Sequence, residues 1–453
     1  MKILIIGAGK VGSALARRLS CEKHDVTIID SSKEALRRAA DTLDVMCVKG
    51  TGASPAVLKA AGAASCDMVL STTNRDEINL LCSLAAKRLG AKYTVARVRD
   101  AAFSADIASL QRDLDIDAII NPEYAAALEI SKLLRYPGVA NIDAFFRGRV
   151  ELLEFVVQEG DSILGHSLAD FSGKTGKLSF LFCGAEREGI FLVPDGSFIP
   201  RKGDRLYVAG EPAGIDKFFR ILGRHRPKIH SVFIVGGSRI AHYLASMLEH
   251  MEMKVTLVEI SEACCRTLSE RLPNTLILHG DGTDQELLSS EHFMRSDAFI
   301  ALTGRDEDNL MTSLYARQQG IHTVIAKCSR GNYSGIIRSA GLGSVVSPPI
   351  ITANRILQVV RGFENKKGSV MTAFYRIADD KAEAAEFTVN STARHLGVPL
   401  KNLPLKKDIL IAAILHEGKV VIPGGTGVIF RGDQVIVISR GHGILDFNDI
   451  YLT

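Results

Sequence analysis

The sequence predicts an α/β protein: two Rossmann-type doubly wound parallel-sheet domains, each followed by a small α+β domain, in tandem duplication. Three observations carry this. Short, fully apolar runs alternate with helically periodic segments, at Ile3–Ile6, Val26–Ile29, Val45–Val48, Met68–Leu70, Thr94–Val98 and Ala118–Ile120. Such runs are strands buried on both faces, as in a parallel sheet covered by helices. A Gly-x-Gly-x-x-Gly, from Gly7 to Gly12, follows the first run and opens a helix. Finally, the text repeats itself at a nearly constant offset. Ile3–Gly9 returns as Val232–Ser238, Asp25–Asp30 as Lys254–Glu259, and Arg75–Leu80 as Arg305–Leu310.

Each element follows from local pattern. Val11, Ala14, Leu15 and Leu19 recur at helical spacing, as do Ile78, Leu81, Ala85 and Leu89. From about Asn141 the text changes to glycine-rich turns and closely spaced strands, Glu154–Val157, Leu178–Phe182 and Arg205–Val208, with a hairpin expected around Pro194-Asp195-Gly196. The turn pair Pro194/Gly203-Asp204 returns as Pro423/Gly432-Asp433. Linker signals fall at Tyr136-Pro137-Gly138, Arg224–Lys228 and Gly362–Gly368. The expected domains are therefore 1–138 and 229–361 (Rossmann) and 141–225 and 370–453 (small α+β).

Composition removes several classes of function. The chain has 453 residues, 46% hydrophobic and 23% charged, which excludes a disordered or fibrous protein. Its net charge of +4 is interspersed rather than gathered into the basic stripe of a nucleic-acid binder. No run approaches the roughly 18 to 20 apolar residues that span a bilayer. The first run, cut by Gly7 and Lys10, is too short for a signal-peptide core, so a cytoplasmic location is expected. The 8 cysteines are irregularly spaced without Cys-x-x-Cys, which reads as free thiols. The 12 histidines show no zinc-ligand spacing, and no metal site is expected.

The chemistry lies in Gly7-Ala8-Gly9-Lys10-Val11-Gly12, with Asp30 ending the next strand. Gly7 permits the tight turn, Gly9 lets backbone approach a pyrophosphate, and Gly12 lets helix and strand pack closely. The helix N-terminus offers free amides to phosphate. Asp30 would hold the ribose hydroxyls and repel a 2′-phosphate, which favours NAD(H) over its phosphorylated form. Thr73 and Asn74 end the fourth strand on the ligand-binding edge, where they either contact ligand or cap the helix that starts near Asp76. Arg97, among apolar neighbours, needs an anion, either a ligand phosphate or an interface carboxylate.

The second copy departs from this pattern. Gly236-Gly237-Ser238-Arg239-Ile240 puts Ser238 where the second glycine stood, closest to a pyrophosphate. Glu259 still offers a ribose carboxylate, and Thr303 stands at the position of Thr73. The second site is expected either to bind more weakly, for instance a mononucleotide, or to have kept the fold without its ligand. Gly173-Lys174-Thr175 imitates a P-loop end, but Leu168 stands where that motif requires glycine.

Taken together, these residues resemble the family of Trk potassium-uptake regulatory subunits (TrkA), which carry two RCK units in tandem. The resemblance covers essentially the whole chain. It rests on Gly7 to Gly12 with Asp30, on Gly50-Thr51-Gly52-Ala53 and Gly280-Asp281-Gly282-Thr283, on Arg75-Asp76-Glu77 and Arg305-Asp306-Glu307, and on the paired Gly-Asp turns. It implies a regulator on the inner face of the membrane that binds NAD(H), with ATP or ADP as further ligands. It also implies a membrane-embedded potassium transporter as partner, and a ring of four chains.

The residues themselves also favour sensing over chemistry. A dehydrogenase sets a general acid or base from a substrate domain against its cofactor, whereas the partner modules here have only about 80 residues. Their polar residues, such as Asp195, Arg201 and Asp204, fall at turns. No catalytic residue is expected. The remaining alternatives are an NAD-dependent oxidoreductase and an accessory subunit of another cation transporter.

Overall fold

The computed structural model describes residues 1–100, 107–136, 139–175, 180–224, 228–291, 293–330, 344–364, 369–379, 381–441 and 443–452. Parts of all three expected linkers (137–138, 225–227 and 365–368) lie outside the described residues.

The first lobe is a six-stranded parallel sheet of β1 (Lys2–Ile6), β2 (Asp25–Asp30), β3 (Met46–Lys49), β4 (Met68–Ser71), β5 (Tyr93–Arg97) and β6 (Ala118–Ile120). Its spatial order is β3-β2-β1-β4-β5-β6, the doubly wound arrangement. Ile3, Leu4, Ile5 and Ile6 are all buried. That is why the strand reads as an unbroken apolar run rather than an alternation. The helix Lys10–Cys21 buries Val11, Leu15 and Leu19 of the four positions expected from spacing, with Ala16 buried and Ala14 only half-buried.

A second sheet consists of β7 (Val139–Phe145), β8 (Val150–Val156), β9 (Phe180–Arg187), β10 (Ile190–Leu192) and β11 (Arg205–Gly210), ordered β10-β9-β11-β8-β7 with antiparallel pairing. The hairpin is not at Pro194-Asp195-Gly196. Arg187 pairs with Ile190, so Glu188 and Gly189 form the tip, with φ of 51° and 78°. A two-residue hairpin of this kind requires positive φ at both central residues, and the strand twist selects that turn over a Pro-initiated one. Asp195 instead organises the excursion between β10 and β11, accepting from the amide and hydroxyl of Ser197.

The second copy repeats both sheets. Parallel strands β12 (Ser231–Val235), β13 (Lys254–Glu259), β14 (Thr275–His279), β15 (Ala298–Ala301), β16 (Thr323–Lys327) and β17 (Ser344–Val346) take the order β14-β13-β12-β15-β16-β17. The antiparallel set is β18 (Val370–Ile377), β19 (Ala382–Thr388), β20 (Ile409–His416), β21 (Lys419–Val421) and β22 (Gln434–Arg440). Its order is β18-β19-β22-β20-β21, and Glu417 and Gly418 form the matching hairpin tip with φ of 46° and 77°.

Contacts group the four segments in pairs: Met1–Ser131 with Ile229–Val360, and Lys132–Lys228 with Arg361–Thr453. In the first unit the two parallel-sheet lobes meet at Tyr243. Its hydroxyl accepts from Asn121 Nδ2 at 2.9 Å and donates to the Arg99 carbonyl at 3.2 Å, and its ring meets Tyr124 edge-on. In the second unit the antiparallel modules share one core, in which Phe145, Leu152 and Tyr207 join Ile377, Ala384, Ala413 and Ile438. The Phe146 amide donates to Glu386 at 2.7 Å, and Lys381 pairs with Glu186 at 2.6 Å.

Candidate nucleotide site

The strand order reverses between β1 and β4, and a crevice opens outside their carboxyl ends. Three glycines shape it differently. Gly7 has φ of 105°, and a Cβ there would lie 3.0 Å from the Thr73 amide nitrogen. A Cβ at Gly12 would stand 1.8 Å from the Gly7 carbonyl oxygen, so the helix packs against the turn only with glycine in that place. Around Gly9 a Cβ would meet nothing within 4 Å, and Gly9 lines the cleft. Its missing side chain leaves room for ligand rather than for protein.

The Asp30 carboxylate stands at the rim. It accepts from the Ala8 amide at 2.6 Å and from the Ser32 amide at 2.7 Å, which fixes it beside the glycine loop. On the opposite wall, buried Asn79 clamps the ends of β4 and β5. Its Oδ1 accepts from the Thr73 amide at 2.8 Å and hydroxyl at 2.7 Å. Its Nδ2 donates to the carbonyls of Thr73 at 3.1 Å and Arg97 at 2.8 Å. Asp76 adds a second clamp, accepting from the amides of Arg99 and Asp100. Asp306 and Asn309 repeat both clamps in the second lobe. The Arg-Asp-Glu-x-Asn motif therefore builds the edge on which the site sits, and the Thr73 hydroxyl is engaged within it.

Arg97 donates to the Thr73 carbonyl at 3.3 Å and pairs with Glu123 at 3.5 Å. Burial pushes its guanidinium below the usual range and raises Glu123, while their mutual attraction opposes both shifts. Among the described residues, Arg97 Nε and Glu123 Oε2 are buried without a hydrogen-bond partner. The carboxylate beside Arg97 therefore comes from its own lobe, not from the interface that the sequence suggested as the alternative to a ligand phosphate.

One cleft of about 930 Å³ collects Gly7 to Val11, Asp30, Thr73, Asn74 and Arg97, with Gly12 packed beneath. Sequence reasoning missed part of its wall. Ile240, Lys327, Ser329 and Thr352 of the second copy line the same cleft. The repeat held the signal, since Lys327 occupies in the second copy the place that Arg97 has in the first, but nothing local showed that one lobe faces the other's site.

In the second lobe, Gly236, Gly237, Ser238, Glu259 and Thr303 line a smaller cleft of about 530 Å³. Glu259 mirrors Asp30, accepting from the amides of Gly237 at 2.6 Å and Ser261 at 2.8 Å. Ser238 does more than take up space. Its hydroxyl accepts from the Ala241 amide at 3.4 Å, capping the helix end that a phosphate would otherwise use. Cys264, in the place of Ala35, also lines this cleft, its thiol 3.4 Å from the Gly237 carbonyl. Arg239 and Ile240, assigned from sequence to this site, are placed elsewhere. Ile240 lines the first cleft, and Arg239 exerts its charge on Arg97 and Glu123, because their helix runs along the lobe–lobe contact. Among the described residues no acidic, His or Cys cluster suited to a metal ion is present.

The TrkA-N domain family matches residues 3–122 and 232–348, and the TrkA-C domain family matches 152–223 and 384–451. The chain is 30% identical over 462 residues to "Trk system potassium uptake protein TrkA homolog 2" of Methanosarcina mazei, with all of both chains covered. It is 31% identical over 451 residues to the Archaeoglobus fulgidus TrkA homolog, again over the whole of both. With "Trk system potassium uptake protein TrkA" of Haemophilus influenzae it shares 30% identity, covering 96% of this chain and 95% of that one. Among solved structures, "GsuK channel bound to NAD" superimposes with a TM-score of 0.64 at 17% identity. That match covers 97% of this chain and 77% of the other, and it bears on the fold alone.

Proposed function

We propose, from the premise that this chain belongs to the TrkA family, that it is a nucleotide-binding regulatory subunit which controls a separate potassium-conducting membrane protein. The observation that carries this reading is the first cleft. A glycine loop opens a helix there, the Asp30 carboxylate stands at the rim, and residues of both lobes form the walls. A ligand in such a cleft touches two bodies and favours the arrangement in which it touches both. It shifts that equilibrium by its differential affinity for the two states. A coupling of about 1–3 kcal/mol changes the open fraction roughly 5- to 150-fold, enough to gate a channel.

NAD(H) is the preferred ligand and ADP or ATP the alternative, because each presents an adenosine ribose to Asp30 and a pyrophosphate to Gly9. The partner is a membrane-embedded potassium transporter, and the protein acts at the inner membrane face. Among the described residues no helix is long and apolar enough to cross a membrane. The reading is regulatory rather than catalytic. Among the described residues no histidine lines either cleft, and the antiparallel modules are duplicated as sheets with a common core.

The test is Asp30→Ala. Calorimetry should show at least a tenfold loss of adenine-nucleotide affinity, about 1.4 kcal/mol. Potassium flux through the reconstituted partner should lose its nucleotide dependence while the subunit still assembles. Regulation unchanged by the substitution would refute the proposal, and steady turnover of NADH with any metabolite would favour an oxidoreductase instead.

A further inference from the structure

The two clefts have diverged unevenly from one copied plan. At the ribose end of the second, two changes compensate each other. Glu259 is one methylene longer than Asp30, and Gly237 stands where the first copy has Ala8. A Cβ at Gly237 would lie 3.0 Å from the Glu259 side chain, so the smaller residue makes room for the longer one. The carboxylate thereby returns to its place. It accepts from the Gly237 and Ser261 amides as Asp30 does from those of Ala8 and Ser32. A carboxylate ending the second strand of such a lobe is the acceptor for ribose hydroxyls.

The phosphate end has gone the other way. Among the described residues five cations line the first cleft, Lys10, Arg38, Arg75, Arg97 and Lys327, against the carboxylates of Asp30 and Glu123. The second has one cation, Arg305, and three carboxylates, Glu259, Asp281 and Asp308. Arg305 is 3.6 Å from Asp308, which stands where the first copy has Ile78. The helix end is capped by the Ser238 hydroxyl. A phosphate entering here would meet like charge and an amide already engaged.

Asp281, in the place of Thr51, lies beside the ribose end, because the preceding Gly280 amide donates to the Glu259 carbonyl at 3.0 Å. Its Oδ1 accepts from the Thr283 amide and hydroxyl, both at 2.8 Å, which holds the carboxyl below its usual range. An ionised carboxylate only accepts, so Oδ2 suits a donor such as the exocyclic amino group of a base.

We propose that the second cleft binds a ribonucleoside of the adenosine type that carries no phosphate, with its ribose on Glu259 and its amino group on Asp281. This assigns a ligand to a site separate from that of Asp30 and does not depend on occupancy there.

Cys264 lines this cleft and is partly exposed, which gives a local readout. In the full chain carrying Asp30→Ala, adenosine should slow iodoacetamide alkylation of Cys264 but not of exposed Cys21, as read by mass spectrometry. Calorimetry on the same chain should place AMP about tenfold or more below adenosine, and ATP lower still. Adding Glu259→Gln, or replacing adenosine by inosine, should weaken binding about 10- to 100-fold. Ser238→Gly with Asp308→Asn should strengthen AMP about tenfold and leave adenosine within about threefold. ATP or NADH protecting Cys264 as well as adenosine does would overturn the exclusion of phosphate. Protection that survives Glu259→Gln, or inosine binding as well as adenosine, overturns the assigned contacts. If no nucleoside protects Cys264 while the native chain binds ATP, this inference falls and the regulatory reading stands. A native chain that binds adenosine with Cys264 protected, yet binds neither ATP nor NADH, would uphold this inference and sink that reading.

Discussion

At the residue scale, Gly9 and Gly12 separate what the fold needs from what the ligand needs. Gly9 has φ of −72°, an angle any residue adopts, and open space where a Cβ would point. Gly9→Ala should leave stability within about 0.5 kcal/mol, as for an ordinary surface change, yet lower adenine-nucleotide affinity at least tenfold by calorimetry. Gly12→Ala drives a methyl against the Gly7 backbone and should cost about 3 kcal/mol in denaturant unfolding, the upper end of overpacking. If the two variants behave alike, the division of roles is mistaken. Another contrast lies in the antiparallel modules. Arg187 pairs with Asp204 at 2.6 Å, while its counterpart in the second copy is His416, 2.7 Å from Asp433. The neighbouring carboxylate raises the His416 pKa, so this contribution is fully present below the ordinary histidine pKa and fades as pH rises through the raised one. The Arg187 guanidinium, held above its usual range by the hydrogen bond to Asp204, stays charged throughout. His416→Arg should therefore gain melting temperature relative to the native chain as pH climbs from 6 to 8, and a pH-independent difference would count against the assignment.

At the element scale, the site is as good as the strand ends that present it. Asn79 joins β4 to β5 through four hydrogen bonds within 3.1 Å and is fully buried. Asn79→Leu removes the side-chain partner of the Thr73 amide and of two carbonyls, all of them partly buried. About 2–4 kcal/mol of stability should go, at roughly 1–3 kcal/mol for each buried group left unpaired, partly relieved by relaxation. Hydrogen exchange should show the faster amides at residues 72–75 and 97–100 rather than in β1. Uniform acceleration across the sheet would mean the clamp is not local. The motif is visible in the sequence because Arg75–Asn79 recurs as Arg305–Asn309, and a repeat marks a position without saying what it does. The glycine loop and Asp30 were legible for a different reason: close backbone approach to a phosphate admits few residue types. The hairpin tips were not legible. Glu188 and Glu417 adopt positive φ, which their identity does not advertise, while Pro194 and Pro423 display turn chemistry and belong to loops.

At the scale of the whole molecule, duplication was legible and pairing was not. The return of the Gly7 turn at Gly236 shows that a unit was copied, but whether two copies lie beside each other depends on surfaces formed only after folding. Ala384 and Ala413 read as unremarkable strand residues, yet they sit in the core that both modules share. Lys327 reads as the edge of a strand and lines another lobe's cleft. Some apolar positions stay exposed in both copies. Leu81 and Met311, at matching positions on equivalent helices, are 47% and 67% exposed, and Met46 and Leu276, likewise matched on the edge strands, are 54% and 56% exposed. A single exposed side chain means little, but the same position left bare in both copies is what an assembly that treats the lobes as equivalent units requires. A ring of four chains would present eight such lobes. Leu81→Asp combined with Met311→Asp places charge at one equivalent pair without touching either cleft. By sedimentation velocity the native chain should run at four times the monomer mass and the double variant at a smaller multiple, with nucleotide affinity at the Asp30 site unchanged. If the variant keeps the native mass, these positions do not hold the ring together; if the native chain is itself monomeric, the ring is the wrong architecture for this protein.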